Sequence, residues 1–199
     1  ELAAGAELAP PGGLDGLQDL TVAALGPDAV LVAAAAALLG GGELAWLAAT
    51  CDLPADRFHA ALDALVGADV LARDAARFGL RRPAVAVRLT ATLVDATVLH
   101  GRAAAWASTQ GGTPETAPLP WALVAAHHHL RAADPAAGIA WTCAAARGAL
   151  AVFAAASAEP LLARARALPG LAPADRLTLD LLAAETARWL GRPDEALAI

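Results

Sequence analysis

Apolar residues recur at helical spacing along most of this chain, and the breaks between runs fall on glycine, proline and aspartate. The clearest pattern lies between Pro135 and Ile199. Ile139, Cys143, Ala146, Leu150 and Phe153 follow at i, i+4, i+7, i+11 and i+14, one stripe on a long helix. Ser157 can cap a second helix, with Pro160 in its first turn where no intrahelical donor is lost. Leu161, Ala165 and Leu168 make its stripe, and Pro169-Gly170 ends it. A third helix runs from Pro173 through Leu177, Leu181, Ala184 and Trp189 to Gly191, and Pro193 opens a fourth. The four form two helix–turn–helix units about 36 positions apart, with Ala158-Glu159-Pro160-Leu161 matching Asp194-Glu195-Ala196-Leu197.

Upstream the spacing changes. Residues 1–27 are broken by glycine and proline around one helix, Leu14–Leu25. Asp28 can cap a helix through Leu39, and Gly40-Gly41-Gly42 ends it as a turn. A second helix, Glu43 to Thr50, and a third, after Pro54 to Val66 with Phe58, Ala61, Leu62 and Leu65 inward, come next. Val70–Arg73 and Arg77–Arg81 then flank Asp74-Ala75-Ala76 as a β-hairpin. Three helices followed by a hairpin describe a winged helix, a variant of helix-turn-helix. A further helix is expected from Val85 to Thr109, a linker at 110–118, and a helix from Trp121 to Ala133. The expected fold is mainly α: the end of a preceding helical region at 1–27, a winged-helix domain at 28–87, and antiparallel helical hairpins at 88–199.

Composition narrows the function. Hydrophobic residues make up 58% of the chain, but much of this is alanine, and Ala29–Leu39 is the longest apolar run, roughly half a membrane span. That run fits a buried helix, and no membrane partner is expected. All 14 basic residues are arginine and the net charge is −6, which argues against a broad nucleic-acid-binding surface. Cys51 and Cys143 lack a CxxC spacing, so free buried thiols in a cytoplasmic protein are expected. No signal peptide is recognisable, and the chain reads as a piece of something longer or as trimmed.

Candidate chemistry is sparse. His127, His128 and His129 point about 100° apart on a helix and cannot meet one ion, so one packed histidine with two on its flanks is expected. Zinc sites favour i, i+4 pairs, which are absent. His59 and His100 read as lone structural residues, and Ser108 and Ser157 have no neighbouring base in sequence. Without lysine there is no phosphate-binding G-x-x-x-x-G-K-[ST] loop, so no catalytic, metal or cofactor residue is assigned. An active site assembled from distant residues stands as the third reading. A DNA-reading third helix would carry Asp56, Arg57, His59 and Asp63, a poor match to phosphates. Arg73, Arg77, Arg81, Arg82 and Arg88 gather at and after the wing, where they can meet DNA or acidic protein partners. Trp121, Trp141 and Trp189 are large against an alanine background and are candidates, with Arg77, Arg81 and Arg82, for a partner-binding surface.

The repeat period and the turn Leu190-Gly191-Arg192-Pro193-Asp194-Glu195-Ala196-Leu197 resemble tetratricopeptide-type repeats. Across its length the chain also resembles the middle region of the large ATP-binding LuxR-type transcriptional regulators, the maltose-activator-like signal-transduction ATPases with numerous domains. The likeness is carried by Leu17–Leu25, by Ala33–Gly40, by Leu80-Arg81-Arg82-Pro83-Ala84-Val85 with Arg82 where histidine is usual, by Leu99-His100, by His128-His129-Leu130 and by Gly191–Ala196. It implies a cytoplasmic regulatory arm that holds or releases an ATPase core and receives an inducer or partner protein through its repeats. The implied partners are the ATPase and DNA-binding domains of the same polypeptide; ATP and magnesium are implied only for a domain upstream of these residues. The alternative is a freestanding helical-repeat scaffold that binds protein.

Overall fold

The computed structural model describes residues 26–81, 95–132 and 134–199, with position 24. The described chain is mainly α-helical with one small three-stranded antiparallel sheet. It divides into two units, Glu1–Val94 and Asp95–Ile199, each with its own core. The helix expected at Leu14–Leu25, the opening of the one expected from Val85, and Arg82 and Arg88 lie outside the described residues.

In the first unit α1 spans Pro27–Leu39, with Pro27 at its first position. Asp28 is therefore inside the first turn and not the cap; its carboxylate instead accepts two bonds from Arg57, from Nε at 2.8 Å and Nη2 at 2.6 Å. The alanine run is buried along Val32–Ala36, as a helix packed on several sides requires. Gly40 then turns left-handed at φ 73, donating its N–H to the Ala36 carbonyl. The glycines beyond it are more than a turn. Gly41–Glu43 forms β1, which pairs antiparallel with Arg77–Leu80. Glycine disfavours strands, so composition hides this one. Glycine suits Gly42, which takes φ 148 and where a Cβ would stand 3.3 Å from the Trp46 ring.

Helix α2 (Leu44–Cys51) stops at Asp52, which takes φ 53, and α3 spans Ala55–Gly67. Phe58, Ala61, Leu62 and Leu65 are the buried face of α3, as their spacing predicts. The expected hairpin is present as β2 (Leu71–Asp74) and β3 (Arg77–Leu80), closed by the Asp74↔Arg77 pair. The sheet order is β1-β3-β2. Leu71 and Phe78 turn inward from it to meet Leu47, Leu62 and Leu65.

Among the described residues the second unit holds six helices: α4 (Ala96–Gly111), α5 (Leu119–His129), α6 (Pro135–Ala151), α7 (Ala155–Arg166), α8 (Pro173–Trp189) and α9 (Pro193–Ala198). Each packs on the next, and α6 also meets α8. Asp95 and Asp134 cap α4 and α6, accepting from Val98 N at 3.2 Å and Ala137 N at 3.1 Å. The stretch expected as a linker is a short connection between α4 and α5, tied by Ala117 N–H to the Thr113 carbonyl at 2.9 Å.

Small residues set the helix spacing. Ala107, Ala125, Ala126, Ala145, Ala146 and Ala149 are fully buried in the core shared by α4, α5 and α6. A Cβ on Gly111 would lie 2.9 Å from the Trp121 Cβ, and one on Gly138 would lie 3.1 Å from Leu130.

Of the expected stripes, that on α6 faces the core except for its last member, and that on α8 lies on the opposite face. Helix α6 ends at Ala151, and Phe153 takes φ 60, which throws its ring out to 77% exposure. Helix α7 consequently starts at Ala155 with Ala154 as N-cap, so Ser157 is not the cap and Pro160 sits inside the helix. On α8 the buried residues are Leu179, Leu182, Thr186 and Ala187, while Leu177 (61%) and Leu181 (63%) face outward. The expected Leu177–Leu181 stripe is the opposite face of an α8 that is apolar on both sides.

Candidate functional site

The three tryptophans fall in three environments. Trp141 is buried in the α5–α6–α7 core, where its ring lies 8° from parallel with the His129 ring. It has little surface to offer a partner. Trp121 is half-buried and meets Trp106 edge-on, with centroids 5.6 Å apart. Trp189 is 49% exposed, edge-on to Phe153 at 5.3 Å, at the end of α8. With Val152, Leu177 and Leu181 it belongs to an outward-facing set of large apolar residues in a unit whose interior is largely alanine.

A small cleft lies between α7, α8 and α9, about 130 Å³ and edged by Glu159, Arg166, Thr186 and Glu195. Arg192 links it across, meeting Glu159 at 2.7 Å and Glu195 at 3.2 Å, while Arg166 holds Asp180 at 2.6 Å. The cleft has room for a few waters only; it is well short of the roughly 300 Å³ at which ordinary ligand pockets begin.

The wing arginines are exposed and mostly matched. Arg73 pairs with Asp63 at 2.7 Å and Arg81 with Asp69 at 3.5 Å, and Arg77 sits in register opposite both Glu43 and Asp74. Arg57 on α3 is taken by Asp28, whose carboxyl it holds below the usual range by hydrogen bonding first and charge second. Arg82 lies outside the described residues. Local acids therefore cancel most of the positive charge this face would present to a phosphate backbone.

The histidines form a cluster that sequence order conceals. His128 is buried at 3% exposure, with His127 and His129 partly exposed on its flanks. His100 is not a lone residue: α4 brings its Nδ1 to within 2.9 Å of His128 Nδ1, so one ring donates and the other accepts. Arg131 Nη1 donates to the His127 carbonyl at 3.0 Å and lies 3.2 Å from His127 Nδ1. Arg164 Nε, from α7, donates to the Leu130 carbonyl at 3.3 Å. Desolvation, then the fields of the two arginines and the neighbouring rings, holds His100 and His127 down to about 4 and His128 down to about 3. At neutral pH the three rings are uncharged.

Ser108 does have a base nearby in space: its Oγ is 3.2 Å from His129 Nε2, and His129 Nδ1 lies 4.0 Å from Asp134. The order serine–histidine–aspartate is that of a hydrolytic triad. However, the Ser108 hydroxyl already donates to the Ala104 carbonyl at 2.9 Å. Its proton is thus directed along its own helix, and the ring N–H at Nε2 supplies the other bond. The group serves packing. Among the described residues no cluster of three or more histidine, cysteine or acidic side chains is arranged to hold a metal ion.

No protein-family model, curated protein or solved structure matches this chain.

Proposed function

We propose that this chain is the regulatory, signal-sensing arm of a multidomain bacterial transcriptional regulator, acting by binding and not by catalysis. In this reading the first unit is a winged helix: helix–strand–helix–helix–strand–strand, with β1 added beside the hairpin, is how such a domain is built. The second unit is a set of tetratricopeptide-like helical hairpins, in which successive pairs stack to bury faces that one pair leaves open. The observation that carries the proposal is the double-sided α8. Leu179 and Leu182 fill the core on one side, while Leu177 and Leu181 lie bare on the other. A surface helix of a closed domain has one apolar face; a second face calls for another protein element. The neutralised wing supports a protein-contacting role for the first unit, with an ATPase core of the same polypeptide as the partner.

Reading the coding sequence on both sides tests this. A lysine-bearing phosphate loop before these residues and a LuxR-type helix-turn-helix after them is the expected result. A coding frame without either favours the freestanding scaffold. DNA binding is a separate check. Anisotropy with random duplex at low salt should show affinity no tighter than about 10⁻⁴ M, the weak end of non-specific binding. Tight, salt-steep binding lost in Arg77→Ala and Arg81→Ala would give the wing a DNA role instead.

A further inference from the structure

We propose that the corner formed by Arg131, Arg164, His127 and His100 is a binding site for a phosphate-type oxyanion, free or as the monoester end of a small molecule. Three segments converge there: α4 through His100, the end of α5 through His127 and Arg131, and α7 through Arg164. The arginines are held by the carbonyls that end α5, each using part of its donor set: Arg131 one terminal nitrogen on His127, Arg164 its Nε on Leu130. Guanidinium groups carry five N–H donors in a fixed fork suited to two oxygens at once. Among the described residues neither terminal nitrogen of Arg164 meets a hydrogen-bond partner. Neither arginine meets a carboxylate among the described residues, unlike Arg57, Arg73, Arg81, Arg166 and Arg192, all of which do.

The cost of leaving two cations together is visible. Burial, and then the charge of Arg164, pulls Arg131 below its ordinary value. Burial first, and then this same field, keeps His100 and His127 unprotonated. A dianion seated between the guanidinium groups would remove that repulsion and reverse the field at the rings. Its arrival would therefore draw a proton onto His127 or His100, converting an acceptor into a further donor to the anion. Among the described residues the ionisable groups set against the corner are those four and His128; the Asp134 carboxylate faces His129. This site rests on the residues alone and does not depend on the regulatory reading.

Calorimetry of the whole chain with inorganic phosphate near pH 7, in two buffers of different ionisation heat, tests the site; a sugar phosphate in a second titration separates the free anion from the monoester. Saturable binding with net proton uptake is expected, with histidine NMR shifts confined to His100, His127 and His128. Arg164→Gln, at an exposed position that leaves the core untouched, should weaken binding at least about tenfold. Arg176→Gln, on the exposed surface of α8, should leave it unchanged. Absence of saturable heat with both ligands overturns the proposal, and so does equal affinity in Arg164→Gln and the parent. Arg131→Gln adds a second reading where its thermal unfolding matches the parent.

Discussion

The His129 and Trp141 rings lie 8° from parallel with their centroids 6.3 Å apart, an offset stack between the last turn of α5 and the middle of α6. His129 caps the exposed side of a tryptophan that otherwise faces only core, which is why Trp141 is 4% exposed. Trp141→Ala should therefore cost about 3–5 kcal/mol, the usual toll for emptying a large aromatic from a core. Chemical denaturation of the variant measures it. A loss under about 1 kcal/mol would mean that the ring is dispensable to packing.

Gly111 marks the closest approach of α4 and α5. A Cβ there meets the Trp121 Cβ at 2.9 Å, and neither atom is at the end of a flexible chain. Gly111→Ala should destabilise by about 1–3 kcal/mol despite its gain in helix propensity. Gly67→Ala, in α3 with nothing within 4 Å, is the control and should be neutral or slightly stabilising.

Acid should loosen the second unit in a defined window. Imidazoles titrate near pH 6.5 in an unfolded chain, but His100 and His127 are held to about 4 and His128 to about 3. Between those values the unfolded chain binds more protons, so stability rises with pH there. The contribution is complete above about pH 6.5 and is lost as pH falls toward about 4. Thermal unfolding followed from about pH 8 to 4 should be flat and then fall. His128→Leu should flatten the fall. Asp28, with its pKa lowered by Arg57, titrates below this window.

Trp189 offers the reverse of Trp141. It is 49% exposed, and among the described residues its ring partner is Phe153. Trp189→Ala should cost about 0.5–1.5 kcal/mol, the scale of one aromatic pair. Its emission should be red-shifted in the free chain, and a blue shift on adding a partner would locate the contact at α8.

Element types were legible in the sequence, and helix faces less so. Phe58, Ala61, Leu62 and Leu65 were readable as an inward stripe because polar residues fill the other side of α3. On α8 leucines occur all round, so spacing alone cannot rank Leu177–Leu181 against Leu179–Leu182. Strand β1 is hidden by two glycines, of which Gly42 lies close against Trp46 and Gly41 against the Phe78 carbonyl. The pairing of His100 with His128 links positions 28 apart on two helices, and periodicity within one helix carries no information about which neighbour a side chain meets.

The alanine interior of the second unit has a practical corollary for anyone mapping what holds it together. Alanine scanning works by deletion, and a position already at alanine has nothing to delete. Applied here it would pass over Ala107, Ala125, Ala145, Ala149 and Ala165, every one of them fully buried, and return a map dominated by a few leucines and tryptophans. The informative library runs the other way, enlarging the side chain in steps through serine, cysteine and valine, because steric tolerance and not lost contact is the currency of such an interface.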